Sequence, residues 1–156
     1  MHPHARLIDS LYKAFDRRDP DAMAACYAPD ATFRDPIFDL AGADVGDMWR
    51  MFCERGGDLT LEWGDIEADD AEGRAHWEPR YTFSVTGRPV HNVIDAQFTF
   101  RDGRIATHRD TFDLWRWGRM ALGAKAVVLG WTPFVQNAIR QQARRNFAHW
   151  QAQRAR

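Results

Sequence analysis

Apolar residues in the first third of the chain recur at the spacing of an α-helix. One set comprises Leu7, Ile8, Leu11 and Phe15, and another comprises Val45, Met48, Trp49 and Phe52. Each set predicts an amphipathic helix, because residues three and four apart lie on the same side of a helix. Between the two sets, Asp19 followed by Pro20 predicts the start of a short second helix, since aspartate caps helices well and proline fits the first turn.

The spacing changes from helical to alternating after Gly56 and Gly57. Apolar and polar residues then alternate, as they do in a strand that is buried on one face. Asp102-Gly103 is a hairpin signal, and Pro79 inside the longest alternating stretch predicts an edge or a bulge there. The predicted strands cover residues 31–34, 59–63, 77–85, 90–100 and 105–114.

Three helices followed by a meander of strands predict an α+β fold. A strongly curved antiparallel sheet folded over helices makes a cone with an apolar interior. We expect residues 1–114 to form this domain and residues 115–156 to form a helical extension packed on it. Asp113 is the expected N-cap of the extension, and Thr132-Pro133 predicts the start of a last helix.

The first part of the extension, residues 115–129, is apolar on all sides and is expected to be covered. It could roof the mouth of the cone, fill the cone or complete a dimer, and we favour the roof or the dimer. A filled cone would argue against an enzyme, whereas a roofed cone would leave a closed apolar pocket.

The net charge of −1 conceals an uneven distribution. Residues 115–156 contain eight of the 21 basic residues and no acidic one, so residues 1–114 carry 13 basic and 22 acidic residues, a net charge of −9. A basic tail can bind nucleic acid or anionic lipid. We favour a solvated helix near an acidic body, and we expect no nucleic-acid partner and no membrane contact.

Composition and cysteine usage indicate an ordinary globular protein. A chain of 156 residues with 45% hydrophobic and 28% charged residues suits one domain. Cys26 and Cys53 lie among apolar residues of helical patterns, so we expect free thiols in a reducing compartment. The N-terminus shows no secretory pattern, and a cytoplasmic location is expected. No metal-binding motif is visible, and no metal is expected.

Three stretches follow one another in a familiar order. They are Tyr-Ala-Pro-Asp-Ala-Thr-Phe-Arg-Asp-Pro over residues 27–36, the Thr-Gly-Arg turn that starts at Thr86, and Phe-Thr-Phe-Arg-Asp-Gly-Arg-Ile over residues 98–105. Together they resemble the nuclear transport factor 2 superfamily, in particular its SnoaL-like, ketosteroid isomerase-related bacterial branch. The resemblance covers residues 5–114. It implies a cone-shaped, cystatin-like roll, a homodimer through the open face of the sheet, and no cofactor.

Comparison with ketosteroid isomerase, a member of that superfamily, places Asp35 at the position of the general base. Leu11 and Ala96 fall where the tyrosine and the acid of the oxyanion hole belong, with Tyr12 and Asp95 one residue away. A shift of one residue on a strand turns the side chain to the other face. We therefore do not expect steroid isomerisation.

The resemblance also implies that His108 and Asp110 on the last strand face the cavity. Together with Asp35 they are the candidate catalytic residues. The candidate ligand-binding residues are Trp63, Trp77, Tyr81, Phe83, Phe98 and Phe112. Structural roles stay open for all of them: Asp35 before Pro36 could cap a turn, the His108–Asp110 pair could be a structural hydrogen bond, and the aromatic residues could be ordinary core.

The expected function is binding of a small apolar or aromatic molecule in an enclosed pocket. Two alternatives stay open. The pocket could carry cofactor-independent acid/base catalysis of the isomerase, polyketide cyclase or hydrolase type. It could instead belong to a non-catalytic ligand-binding protein or a dimeric interaction module, because this fold supports both.

Overall fold

The computed structural model describes residues 1–124 and 131–155, which form five helices and seven strands. The helices are α1 (Pro3–Asp16), α2 (Pro20–Ala25), α3 (Ala43–Arg55), α4 (Leu114–Leu122) and α5 (Pro133–Arg154). The strands are β1 (Tyr27–Arg34), β2 (Asp39–Ala41), β3 (Thr60–Ala68), β4 (Glu72–Phe83), β5 (Arg88–His91), β6 (Ile94–Arg101) and β7 (Arg104–Thr111).

The strands form one curved, mixed sheet with the order β2-β1-β7-β6-β4-β3, and β5 pairs with β4. The expectation of an antiparallel sheet is wrong for one pair of neighbouring strands. The first long strand, β1, runs parallel to the last, β7, and Phe33 lies beside His108. Strands β3 to β6 come between β1 and β7 in the sequence, but in the sheet β7 lies directly beside β1.

The longest strand, β4, changes partner at Pro79. Its first half pairs with β6 as far as Trp77, and its second half pairs with β5 from Arg80 onward. The predicted single strand over residues 90–100 is therefore two strands, separated by Asn92 and Val93. Proline has no N–H to donate, and here it lies at the gap between two partners while its carbonyl accepts from Asn92 N at 3.0 Å.

Several strand limits and one short strand differ from the sequence-based prediction. β1 begins at Tyr27 rather than at residue 31, and the three-residue β2 was not predicted. β3 continues to Ala68 rather than ending at residue 63, β4 begins at Glu72 rather than at residue 77, and β7 ends at Thr111 rather than at residue 114. Val85, which shares the parity of the buried residues of β4, lies beyond the strand in a turn and is 68% exposed. Proline in a strand and a three-residue partner both give weak alternation, which explains these errors.

Helix α1 buries the predicted apolar face against the sheet. Its buried residues are Ala5, Ile8, Leu11, Tyr12, Ala14 and Phe15. The helix comes very close to the start of β4, where a Cβ on Gly73 would lie 2.9 Å from both the Ile8 Cδ1 atom and the Phe100 ring. A glycine at this position therefore sets the distance between α1 and the sheet.

The extension packs on the domain in two places. Asp113 caps α4, which lies against β5. Helix α5 lies along α3, where Trp150 Nε1 donates to Glu54 Oε2 at 2.8 Å and Arg154 pairs with the same carboxylate at 3.1 Å. Phe147 of α5 packs edge-on against Phe38. No helix within the described residues is long and apolar enough to cross a membrane.

Replacing Gly73 by alanine should destabilise the fold by about 1–3 kcal/mol, because the added methyl group meets packed side chains on two elements. Gly64 of the neighbouring strand β3 has open space where its Cβ would be, so Gly64→Ala is the matched control and should change stability by less than about 0.5 kcal/mol. Urea unfolding of the three proteins measures both values. Equal stability of the two variants would contradict the close approach.

Candidate functional site

A chain of buried hydrogen bonds crosses the interior from α3 to β7. Trp49 Nε1 donates to the Tyr27 hydroxyl at 2.9 Å, and that hydroxyl lies 2.8 Å from His108 Nδ1. His108 Nε2 in turn lies 2.8 Å from Asp110 Oδ1, and Trp77 Nε1 donates to the same oxygen at 3.4 Å. All five side chains are buried. We call this set the polar chain.

The two indoles fix the direction of two hydrogen bonds in the polar chain. An indole N–H can only donate, so the Tyr27 oxygen accepts from Trp49 and the Asp110 oxygen accepts from Trp77. Each ring nitrogen of His108 has a partner, Nδ1 at the Tyr27 hydroxyl and Nε2 at the Asp110 carboxyl. The tautomer with its proton on Nε2 donates to Asp110 and accepts from Tyr27.

His108 is enclosed by aromatic rings. Four of them lie with centroids 4.3–6.2 Å from its own, and they belong to Tyr27, Phe33, Trp49 and Phe98. As the alternation on β7 predicts, His108 and Asp110 are buried while Arg109 and Thr111 face solvent. The ring of His108 is therefore packed against four aromatic rings, and its polar contacts are the hydrogen bonds to Tyr27 and Asp110.

Asp35 lies between β1 and β2, in the turn that the Asp-Pro sequence predicts. Its Oδ1 atom accepts hydrogen bonds from the backbone of Ile37 at 2.7 Å and of Phe38 at 2.6 Å. Burial raises the pKa of this carboxyl to about 7, the two backbone donors oppose the rise, and the negative charge of Asp110 adds to it. Asp35 thus has a structural role in the turn and also a carboxyl suited to proton transfer near neutral pH.

Tyr12 is fully buried and was not among the predicted site residues. Its hydroxyl has no hydrogen-bond partner within the described residues. Burial raises the pKa of Tyr12 well above its usual value, and the charges of Asp110 and Tyr27 act in the same direction. Tyr12 shares the buried face of α1 with Ile8, Leu11 and Phe15, and this spacing is the signal that could have identified it.

The predicted aromatic residues divide into three groups. Trp77 belongs to the polar chain and donates to Asp110, and the ring of Phe98 packs against His108. Tyr81 and Phe83 are half-buried and contact Trp117 of α4, whose Nε1 donates to the Tyr81 hydroxyl at 2.9 Å. Trp63 donates to Asp9 at 2.8 Å on the α1 side of β3, and Phe112 is half-buried against the core. Like Tyr12, Tyr27 and Trp49, Trp117 was not predicted as a site residue.

Two surface depressions lie outside the interior. One, of about 630 Å³, is on the sheet between the start of β4 and the middle of β7, and the other, of about 380 Å³, lies beside the β4–β5 ribbon. Asp35, His108 and Asp110 line neither of them. The candidate catalytic residues therefore belong to the interior, whereas two candidate ligand-binding residues border the depressions, Phe98 the first and Tyr81 the second.

The profile of the SnoaL-like domain matches residues 8–108, which is more than half of the chain. The chain belongs to the SnoaL-like domain family. The comparison with curated proteins finds no match. The matched residues of this SnoaL-like protein include Asp35 and His108, whereas Asp110, α4 and α5 follow them in the chain.

Solved structures show the same fold at low sequence identity. An LEH-like epoxide hydrolase of M. tuberculosis is 22% identical with a TM-score of 0.65, covering 82% of this chain and 96% of its own. An NTF2-like protein of unknown function from Burkholderia pseudomallei is 23% identical with a TM-score of 0.67, covering 77% and 98%. A proposed polyketide cyclase from Streptomyces antibioticus is 23% identical with a TM-score of 0.64, covering 80% and 100%. These likenesses show the NTF2-like fold.

The raised pKa of Asp35 predicts a specific dependence of stability on pH. Between about pH 4 and pH 7 the folded protein keeps a proton on Asp35 that the unfolded chain releases, so the ionisation of Asp35 lowers stability as pH rises through this window. Asp35→Asn keeps an oxygen for the two backbone donors and removes this titration. Its stability relative to the wild type should therefore rise by up to about 4 kcal/mol from pH 4 to pH 8.

Urea unfolding at several pH values measures this difference. Asp16→Asn changes an exposed carboxyl on α1 and is the matched control, which should track the wild type across the window. A constant difference between Asp35→Asn and the wild type from pH 4 to pH 8 would contradict the raised pKa.

Proposed function

We propose that this SnoaL-like protein binds a small apolar molecule in its interior and transfers a proton on it with Asp35 as the general base and acid. The observation that carries the proposal is the burial of the Asp35 carboxyl in the turn after β1, where its Oδ1 atom accepts from the backbone of Ile37 and Phe38. Burial raises the pKa of Asp35 to about 7, the two backbone donors oppose the rise, and the charge of Asp110 adds to it. A carboxyl with a pKa near neutral suits general acid/base catalysis.

Asp35 would act on a carbon next to a carbonyl group. The carboxylate takes the proton from that carbon, the C–H electron pair forms the enolate, and the negative charge moves to the carbonyl oxygen. Protonated Asp35 then returns the proton to the same or another carbon. This step uses no other reactant and suits isomerisation, or ring closure through the enolate.

His108 and Asp110 would support this step without touching the reacting atoms. Aromatic rings enclose His108, and its proton is committed to Asp110. We infer that His108 is a positioning residue that holds Asp110 as a fixed negative charge. Burial raises the pKa of Asp35, that charge adds to the rise, and a raised pKa makes the carboxylate a stronger base.

Structural neighbours with the names of enzymes support a catalytic site on this fold. One neighbouring structure is a proposed polyketide cyclase and another is an LEH-like epoxide hydrolase. A non-catalytic binding protein is the second candidate, favoured by the two short backbone hydrogen bonds that give Asp35 a role in its turn.

Exchange of the α-protons of 2-tetralone in D₂O, followed by ¹H NMR, tests the proposal. This ketone is apolar, bicyclic and readily enolised. The wild type should accelerate exchange, with a rate that rises through about pH 7 as Asp35 ionises. Asp35→Asn should lower the rate by about 100-fold or more, because it removes the base and keeps the turn.

Asp16→Asn is again the matched control and should exchange at the wild-type rate. Equal rates in Asp35→Asn and the wild type would show that Asp35 is not the base. Binding of 2-tetralone without any acceleration by the wild type would favour the non-catalytic protein.

A further inference from the structure

Helix α4 supplies a wall of the interior from outside the SnoaL-like match, which ends at residue 108. Its buried residues, Leu114, Trp117, Gly118 and Ala121, form one stripe at helical spacing. Three side chains bond the helix to the β4–β5 ribbon. Thr86 Oγ1 donates to the Ala121 carbonyl at 2.5 Å, Arg88 Nε to the Met120 carbonyl at 3.0 Å, and Arg116 Nη1 to the His91 carbonyl at 2.9 Å.

Trp117 is the residue of this wall that reaches a site side chain. Its Nε1 donates to the Tyr81 hydroxyl at 2.9 Å, and its ring packs edge-on against Phe83 with centroids 5.3 Å apart. Because an indole N–H only donates, it occupies an acceptor position of the Tyr81 oxygen. Among the described residues, the Tyr81 hydroxyl makes this one hydrogen bond, and it makes it as an acceptor. The proton of the hydroxyl is therefore available to another acceptor.

Tyr81 faces the same interior as the polar chain. It lies on β4 with the parity of Trp77, whose Nε1 reaches Asp110, and alternate residues of a strand point to the same side. Burial raises the pKa of Tyr81, the hydrogen bond from Trp117 opposes that rise, and the negative charge of Asp35 adds to it. The side of β4 that carries Tyr81 is therefore the side on which Trp77 reaches the polar chain.

We propose that Trp117 is a positioning residue that directs the Tyr81 hydroxyl proton toward the polar atom of the ligand, and that the ligand class is a neutral molecule with a hydrogen-bond acceptor such as a ketone oxygen. This inference rests on the proposed function, because it assigns the group that meets the carbonyl while Asp35 meets the adjacent carbon. The extension thereby determines which ligands the site prefers.

Binding of two matched probes, followed by the quenching of tryptophan fluorescence, tests this inference. 2-Acetylnaphthalene and 2-ethylnaphthalene have nearly the same shape and differ in one carbonyl oxygen. The wild type should bind the ketone about three- to tenfold more tightly than the hydrocarbon, the worth of one neutral hydrogen bond. In Tyr81→Phe the two affinities should become equal, and in Trp117→Phe their ratio should fall by at least half.

The ratio of the two affinities separates a positioning role of Trp117 from a purely structural role, because loosened packing weakens the binding of both probes alike. Trp150→Phe is the matched control: it removes an indole hydrogen bond of similar burial on α5, to Glu54, and should keep the wild-type ratio. Tyr81→Phe removes the same contact from the other side if Trp117→Phe folds poorly. A wild-type ratio near one, or an unchanged ratio in Tyr81→Phe, overturns the inference while leaving ligand binding intact. Failure of the wild type to bind either probe overturns the proposed function as well.

Discussion

The structure depends on the burial of one carboxylate, Asp110, in an aromatic interior. A carboxylate taken out of water costs several kcal/mol unless hydrogen bonds compensate it. His108 and Trp77 supply those bonds, and Tyr27 and Trp49 continue the chain to α3. One charge thereby constrains three strands and a helix, since β1, β4, β7 and α3 must all meet at the same point. A shift of one residue in β7 would bury Arg109 instead.

This arrangement also gives a physical reason for the different behaviour of the two carboxyls. Asp110 receives its hydrogen bonds from side chains of the core, whereas Asp35 receives them from the backbone of its own turn. Burial raises the pKa of Asp35, the backbone donors of the turn oppose the rise, and the charge of Asp110 adds to it. The interior therefore holds one carboxyl bonded by core side chains and one whose pKa lies near neutral pH.

The extension changes the environment of this interior in two ways. Helix α4 closes against the β4–β5 ribbon and brings Trp117 to Tyr81, while α5 lies on α3 and covers Phe38, which follows Asp35 in the turn. In addition, Arg140 of α5 donates to the carbonyl of Pro36 at 2.6 Å. Helix α4 thus contacts the strand that carries Tyr81, and α5 contacts the turn that carries Asp35. Part of the apolar stretch expected to roof or fill the cone, residues 125–129, lies outside the described residues.

The sequence alone determined the features that follow from local spacing. The 3.6-residue repeat of Leu7 to Phe15 predicted α1 and its buried face, and the two-residue repeat of β7 placed His108 and Asp110 on one side. Caps at Asp19, Asp113 and Thr132 marked helix starts, because capping is an interaction between close neighbours in the chain. Only the tertiary structure decided which side chains contact His108 and Asp110. Tyr27 lies 81 residues from His108, and Trp117 lies 36 from Tyr81, so no local period records those contacts. The raised pKa of Asp35 is likewise a tertiary property, because burial and the charge of Asp110 exist only once distant strands have packed together.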